Sequence, residues 1–311
     1  MDQETPRRSI SQAAHHRRRR RVAAALAAAL ALLACTLYVL SAGGDDERMP
    51  VASGDNATAE RARLLEREAA RAAAAIDRRR DSLRLEDAAI RRTMRREPYV
   101  RFAGEQTRSV ALTFDDGPSP YTQQILDTLH DHGAKATFFT LGMETGRHQL
   151  ELHRAIADGH AIGNHSWSHA DLTQGRAQRA RLQILDANAA LVAAGVPRPR
   201  LFRPPYGAYD RRLLGIARGL GMLTVMWSVD AGDYKARRAR ELAAAVLADA
   251  RAGSIILLHD GGGNRTVTAR AVPLIVRGLG RRGLRMVTVP QLLLANPPPS
   301  DQDPRARTAE T

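Results

Sequence analysis

Residues 109–118 of this 311-residue chain are Ser-Val-Ala-Leu-Thr-Phe-Asp-Asp-Gly-Pro, an apolar run that ends in two neighbouring carboxylates. A short apolar run followed by Gly and Pro predicts a buried strand. Asp115 and Asp116 at its end would be costly to bury without a metal ion, an arginine or water beside them. The stretch therefore predicts a polar site at the carboxyl end of a buried strand. A turn cap leading into Gly117-Pro118 is the structural alternative.

Short apolar runs alternate with amphipathic stretches from residue 108 onward. The predicted strands are 109–115, 136–141, 161–164, 201–203, 223–229, 254–259 and 284–289, and the predicted helices are 121–132, 148–158, 174–194, 210–219, 238–251 and 267–282. This alternation predicts a parallel α/β fold, either an open doubly wound sheet or a barrel. Polar clusters follow nearly every predicted strand, and a site spread over so many strand ends favours a closed or nearly closed barrel of about seven strands.

Two histidines, His165 and His169, follow the predicted strand 161–164 with a spacing of four residues. In a helical turn this spacing places both imidazoles on one face, where they can bind one cation. A solvated turn is the alternative for the pair alone. With a carboxylate from another strand end, the two would form a three-ligand set that leaves a position open for water. Such a set is typical of metal-assisted hydrolysis.

Three further predicted strand ends carry polar residues. Arg203 precedes two prolines and is a candidate partner for a carboxylate, although in an arginine-rich chain it can also be an incidental surface residue. Residues 227–234, Trp-Ser-Val-Asp-Ala-Gly-Asp-Tyr, supply two carboxylates that could orient a base and aromatic surface that could stack on a sugar ring. The apolar run 255–258 ends in His259, a candidate general acid.

From about residue 108 to 294, these five segments resemble in their order the five motifs of the polysaccharide deacetylases, the catalytic domain of carbohydrate esterase family four. The match of all five is far more specific than any one of them. The resemblance implies a distorted (β/α) barrel. It also implies a hydrolase that removes N-acetyl groups from GlcNAc residues of peptidoglycan or a chitin-like oligosaccharide. Tyr234 stands where the family usually has Trp, which leaves the acid-orienting Asp in place but bears on substrate fit.

The resemblance also implies a role for each candidate residue. Asp116, His165 and His169 would hold a divalent metal, most often Zn²⁺, with Co²⁺, Mn²⁺ or Ni²⁺ as alternatives. Asp115 would be the base that takes a proton from water, and His259 would protonate the leaving amine. The other implied site residues are Arg203, which would orient Asp115; Asp233, which would pair with His259, with Asp230 as the alternative; Tyr206, whose backbone N–H would hold the oxyanion; and Trp227, Leu257 and Tyr234, which would contact substrate.

Two other functions remain open from the sequence. The altered aromatic position is the one feature that favours a glycan-binding wall protein without turnover, because every catalytic position is filled. The same fold could also act on O-acetyl esters or on small amides.

The amino-terminal part of the chain predicts a membrane segment. Residues 1–21 form a basic tail that ends in five consecutive arginines, and residues 22–43 are uncharged and long enough to span a bilayer. We expect a signal-anchor helix with its amino terminus in the cytoplasm and the remaining chain outside it. Alternatives are a cleaved signal peptide, a lipid anchor at the single cysteine, Cys35, or a twin-arginine export signal. The single cysteine excludes an internal disulfide framework.

The remaining domain predictions flank the predicted catalytic domain, 108–295. Residues 44–107 form a helical spacer, in which a fading seven-residue repeat through Ile76 and Leu83 leaves a coiled coil and self-association open. The proline-rich residues 296–311 predict a disordered tail. Net charge is +14, and within 101–295 there are 25 Lys and Arg against 16 Asp and Glu. An anionic cell-surface partner or diffuse solvated charge fits this excess, whereas nucleic-acid binding is disfavoured because no arginine cluster has interleaved aromatics.

Overall fold

The computed structural model describes residues 54–300 and residue 302, and the chain divides into two compact units, residues 1–70 and 71–311. In the first unit, described residues 54–70 are the beginning of helix α1 (Gly54–Arg96). The second unit contains the end of that helix and the strands and helices that follow it. The predicted membrane segment 22–43 lies outside the described residues. Among the residues that are described, no helix has the length and apolar character needed to cross a membrane.

Nine strands and seven more helices follow α1 in the described part of the chain. The strands are β1 (Tyr99–Val100), β2 (Ser109–Asp115), β3 (Ala136–Thr140), β4 (Ala161–Asn164), β5 (Leu201–Phe202), β6 (Leu223–Val225), β7 (Val229–Asp230), β8 (Ile255–His259) and β9 (Arg285–Met286). The helices are α2 (Thr122–Asp131), α3 (Gln149–Ala157), α4 (Ala177–Ala193), α5 (Arg211–Gly219), α6 (Ala239–Asp249), α7 (Thr266–Arg281) and α8 (Val289–Ala295).

The strands pair in parallel in the order β1-β6-β5-β4-β3-β2-β8-β7, and β9 pairs with the beginning of β2. The sheet is a curled half-barrel, consistent with a distorted barrel. The predicted parallel α/β fold is therefore confirmed. Helices connect most successive strands, so the carboxyl ends of the strands gather at one end of the sheet, as they do in parallel barrels.

Strand β2 shows why the sheet is buried on both faces. All seven of its residues are buried. Leu112 and Phe114 belong to one core cluster, which includes the buried face of α2, whereas Ala111 belongs to a second cluster. Because side chains alternate along a strand, Thr113 and Asp115 share the face of Ala111. The apolar run therefore carries two polar side chains on its inner face.

The structure contains all seven predicted strands, with one split. The predicted strand 223–229 is interrupted between β6 and β7. The guanidinium of Arg203 explains the interruption, because its Nε donates to the carbonyl of Val225 at 3.0 Å and its Nη2 donates to the carbonyl of Met226 at 3.1 Å. These two carbonyls bind a side chain instead of a neighbouring strand.

Ordered structure continues past the end of the predicted catalytic domain. Helix α8, which the sequence analysis does not predict, begins with a capping box formed by Thr288 and Gln291. Asn296 and Gln302, in the predicted disordered tail, are buried. Their side chains accept hydrogen bonds from the backbone N–H groups of Thr107 and Arg101, at 2.7 and 2.8 Å. The described structure therefore extends through residue 300 and includes Gln302, whereas residues 301 and 303–311 lie outside the described part.

Candidate active site

The predicted polar segments meet at the carboxyl ends of neighbouring strands. Asp115 ends β2 and is paired in register with His259, which ends β8. His165 directly follows β4, and Arg203 directly follows β5, the next strand in the sheet. Parallel pairing alone therefore brings together segments that are up to about 150 residues apart in the chain.

Asp116, His165 and His169 form a compact group of potential metal ligands. One ligand atom from each residue lies within 4.8 Å of the others. The Nε2 atoms of His165 and His169 lie 3.4 and 3.2 Å from Asp116 Oδ1. That oxygen is buried and has no hydrogen-bond partner. A buried, unpartnered carboxylate oxygen that faces two imidazoles suits a divalent cation.

The backbone orients His165 for this task. Its Nδ1 lies 2.7 Å from the carbonyl oxygen of Arg203. Because a carbonyl can only accept, Nδ1 carries a proton, and Nε2 is the ring atom that faces Asp116. Burial lowers the pKa of His169, outweighing the nearby carboxylates, so its imidazole is neutral at neutral pH. Two imidazoles and one carboxylate fit a divalent ion with an open position.

Backbone strain is concentrated at this site. Four described non-glycine residues have positive φ: Asp116 (72°), Ser166 (72°), His169 (59°) and Tyr206 (60°). Each lies in or beside the candidate site, and left-handed non-glycine residues cost on the order of 1 kcal/mol or more. Such strain persists only where the surrounding structure holds it in place, which is typical of functional sites.

Arg203 is a fully buried cation whose guanidinium holds Asp115. Its Nη1 donates to Asp115 Oδ1 at 2.8 Å and to Thr113 Oγ1 at 2.7 Å. The guanidinium also lies 4.1 Å from the ring centre of Phe139. The other Asp115 oxygen, Oδ2, is 3.8 Å from His165 Nε2, farther than either histidine lies from Asp116 Oδ1. Asp115 therefore lies beside the ligand group while it is bound to an arginine.

His259 is oriented by Asp233 and not by Asp230. The His259 Nδ1 and backbone N lie 2.7 and 2.8 Å from the two Asp233 oxygens, and Thr268 also donates to Asp233. Asp230 is exposed and accepts from the backbone of Gly232. Burial opposes the charged imidazole, but the hydrogen bond and charge of Asp233 outweigh it and raise the pKa of His259. Asp233 therefore favours the protonated form of His259, and Nε2 is left for another partner.

A cavity of about 620 Å³ joins these groups. It is lined by nine of the eleven predicted site residues and by Asp230, and the other two, Arg203 and Asp233, contact Asp115 and His259. The lining residues predicted from the sequence are Asp115, Asp116, His165, His169, Tyr206, Trp227, Asp230, Tyr234, Leu257 and His259. Tyr206 and Tyr234 are 70% and 54% exposed, so they present aromatic surface at the mouth of the cavity.

The sequence analysis missed Arg265, which also lines the cavity. This buried side chain donates from Nε to the carbonyl of Gly261 at 2.6 Å and from Nη2 to that of Gly262 at 3.2 Å. Its Nη2 lies 4.0 Å from Asp116 Oδ2. Asp116 therefore faces two imidazoles with one oxygen and an arginine with the other. The position of Arg265 six residues after His259 was the available signal, but its direction depends on the loop conformation.

Asp260, next to the predicted acid, was also not assigned a role. It is fully buried, which raises the pKa of its carboxyl group to about 7. Thr122 donates to its Oδ2 at 2.5 Å, and its backbone N–H donates to the carbonyl of Asp115 at 3.0 Å. A side chain at Gly117 would overlap this carboxyl group. Asp260 therefore packs the turn that follows the paired carboxylates.

Comparison with known proteins connects this geometry to a family. A family model for polysaccharide deacetylase matches residues 103–225. A chitooligosaccharide deacetylase from Bradyrhizobium sp. (strain ANU 289) is 36% identical over 200 residues, which cover 60% of this chain and 91% of that protein. The chain belongs to the polysaccharide deacetylase family. The family model ends before Trp227 and does not cover Asp233 or His259. The pairing of these two residues therefore rests on their contacts in this structure.

Two other polysaccharide deacetylases are similarly related. A peptidoglycan-N-acetylglucosamine deacetylase from Bacillus cereus is 37% identical over 187 residues, covering 59% of this chain and 87% of that protein. A solved structure of a peptidoglycan N-acetylglucosamine deacetylase, in complex with a naphthalenyl N-oxidanyl-benzamide, has a TM-score of 0.62 at 34% identity, covering 64% of this chain and 94% of that one. The resemblance in sequence therefore extends to the fold.

Proposed function

We propose that this chain is a metal-dependent hydrolase that removes N-acetyl groups from GlcNAc residues of a cell-wall or related polysaccharide, either peptidoglycan or a chitin-like oligosaccharide. The observation that carries the proposal is that the two adjacent carboxylates have different partners. Asp116 faces two imidazoles, while Asp115 is held by Arg203 and is paired across the sheet with His259. Two relatives are named as a chitooligosaccharide deacetylase and a peptidoglycan-N-acetylglucosamine deacetylase, and these names support the substrate class.

Asp116, His165 and His169 would hold the metal ion. One carboxylate and two imidazoles with an open position are a catalytic ligand set for Zn²⁺, and Co²⁺, Mn²⁺ or Ni²⁺ are alternatives. When bound, such an ion supplies Lewis acidity and makes water a better nucleophile at neutral pH.

Asp115 is the proposed general base. Its hydrogen bond from Arg203 fixes its orientation, so Oδ2 can accept a proton from the attacking water. His259 is the proposed general acid, because Asp233 orients Nδ1 and raises the imidazole pKa. As the carbonyl carbon forms its bond to water oxygen and the C–N bond breaks, Nε2–H gives its proton to the leaving nitrogen. The products are acetate and a free amine.

The rest of the cavity would bind the acetylated sugar. The backbone N–H of Tyr206 would donate to the oxyanion, and Trp227 and Leu257 would contact the acetyl methyl group. Tyr234 would contact the sugar at the mouth of the cavity, in the place where the family usually has Trp. A phenol is smaller than an indole and adds a hydroxyl, which should change sugar contacts more than the chemistry.

We also propose that the predicted segment 22–43 anchors the chain in the cell membrane, with the catalytic unit outside the cytoplasm. Its support is the uncharged length next to five arginines. Recovery of the full-length protein in the soluble fraction of cells would refute the anchor. It would leave the catalytic proposal intact.

Acetate release tests the catalytic proposal directly. The purified protein, reconstituted with Zn²⁺, should release acetate from peptidoglycan fragments or from a chitooligosaccharide, and a chelator should abolish the release. Readdition of Zn²⁺, Co²⁺, Mn²⁺ or Ni²⁺ in separate samples identifies the ions that support turnover. Absence of acetate from both substrates with every ion, or full activity in His165→Ala, would refute the proposal.

A further inference from the structure

A run of cations leaves the mouth of the active site. Lys235, Arg237, Arg238 and Arg240 are four exposed basic residues within six positions, and we call residues 235–240 the basic rim. Arg238 pairs with Glu241 at 2.8 Å. Within the described part of the chain, Lys235, Arg237 and Arg240 have no ion pair, although the Lys235 ammonium lies 5.6 Å from the ring centre of Tyr234. Most of the rim's charge is therefore available to a ligand.

The fold fixes the beginning of the basic rim against the catalytic residues. A single 3₁₀ turn, Asp233–Lys235, holds Asp233 against His259 and places Tyr234 on the cavity. The backbone then leaves the site through Arg237. At about 3.8 Å between consecutive Cα atoms, the Cα of Arg237 lies no more than about 11 Å from that of Tyr234. A polymer with one sugar in the cavity therefore has neighbouring sugars within reach of the rim.

The basic rim also conflicts with the helix that it begins. Arg238 is the N-cap residue of α6 and makes no side-chain capping bond, and Arg240 lies in the first turn. Cations are unfavourable at a helix N-terminus because they repel the positive end of the helix dipole. Glu241, in the same first turn, offsets part of this charge through its pair with Arg238, but Arg240 has no ion pair in the described part of the chain; a local conflict of this kind is expected where function requires it. The dipole and the side chains add to one positive potential.

We propose that the basic rim binds carboxylates of the substrate polymer, so that the enzyme prefers an anionic GlcNAc polymer, with free carboxylates on neighbouring sugars or attached peptides, to a neutral one. This inference rests on the proposed function and narrows its substrate class. Guanidinium groups suit the task because their planar fork matches a carboxylate. The rim thereby gives a local role to part of the positive charge of the catalytic unit.

A triple variant, Lys235→Gln with Arg237→Gln and Arg240→Gln, tests the basic rim. It leaves the Arg238–Glu241 pair intact. The matched control replaces three exposed arginines by Gln: Arg218 on α5, and Arg277 and Arg281 on α7. They lie toward the carboxyl ends of these helices, which return to the end of the sheet opposite the active site. Both variants lose three positive charges, so an effect of net charge alone would be equal in the two.

Three substrates separate the possible outcomes: peptidoglycan fragments with free carboxylates, the same fragments after amidation of those carboxylates, and a chitooligosaccharide. The rim variant should lose about tenfold in kcat/KM on the first, as three exposed charge contacts predict, and less than twofold on the other two. The control should change less than twofold on all three. The wild-type preference for free carboxylates should also decrease in high salt.

Two results would overturn the inference while leaving the proposed function standing. One is acetate release by the wild type at equal kcat/KM from the free and the amidated fragments. The other is a loss in the rim variant that is equal on all substrates or is matched by the control. Absence of acetate from every substrate would instead refute the proposed function.

Discussion

Replacement of Arg203 by lysine separates base orientation from metal binding. The guanidinium makes four hydrogen bonds from a fully buried position, to Asp115, Thr113 and the carbonyls of Val225 and Met226. A lysine keeps the charge, but its single ammonium cannot bond to Asp115 and Thr113 and also to the two carbonyls, as the forked guanidinium does. With the two carbonyls left unpaired at about 1–3 kcal/mol each, we expect a loss of about 2–6 kcal/mol in the free energy of unfolding.

Catalysis and metal binding should respond differently to Arg203→Lys. Asp115 loses its fixed partner geometry, and misplacement of a catalytic group by about 1 Å can cost about 10²-fold, so kcat should fall by that order. The contact that orients His165 is made by the backbone carbonyl of residue 203, which the substitution keeps. The dissociation constant for Zn²⁺, measured by calorimetry, should therefore change less than about threefold.

Arg198→Lys is the matched control, because Arg198 is exposed and its side chain makes one long bond, 3.3 Å to the carbonyl of Leu220. It should retain wild-type stability and kcat. Steady-state acetate release, thermal unfolding and zinc calorimetry on the three proteins complete the test. Wild-type kcat in Arg203→Lys, or a zinc affinity that falls as steeply as kcat, would refute the role assigned to the guanidinium.

Three further predictions concern the adjacent groups. Asp116→Asn should weaken Zn²⁺ binding by at least tenfold and abolish turnover, whereas Asp115→Asn should lower kcat by about 10²–10⁴-fold and leave zinc affinity unchanged by calorimetry. Asp233→Asn removes a group that raises the pKa of His259, so the alkaline limb of the kcat/KM profile, where the acid deprotonates, should move to lower pH. Arg265→Gln should weaken Zn²⁺ binding severalfold with partial recovery in Arg265→Lys, because the ion pair that positions Asp116 Oδ2 is lost in the first and partly kept in the second.

The strands and the polar residues at their ends could be predicted from sequence because both are local properties. The apolar run of β2 ends at Asp115 in the structure as it does in the sequence pattern, and β8 likewise ends at His259. Parallel α/β topology then requires the strand ends to meet. The residue identities at the site follow from these two facts together with the resemblance to the family.

Features that depend on contacts between distant segments could not be predicted in this way. The interruption between β6 and β7 is caused by the side chain of Arg203, which bonds to carbonyls 22 and 23 residues later in the chain. The choice between Asp230 and Asp233 depends on Gly232, whose φ of 63° turns the chain so that Asp233 reaches His259. Arg265 reaches Asp116 because its loop folds back across the end of β2. In each case the sequence offers candidates and the packing selects among them.

The division of labour between Asp115 and Asp116 requires a backbone that regular strand geometry does not provide. In a strand, neighbouring side chains point to opposite faces, so Asp116 would point away from the cavity that Asp115 lines. Its φ of 72° ends the strand and turns Asp116 toward His165 and His169. This conformation is strained, and the loop after His259 packs closely against it, since a Cβ at Gly262 would overlap Asp116 Oδ2. The two carboxylates can therefore face one cavity in different directions only because a glycine-rich loop packs against the second.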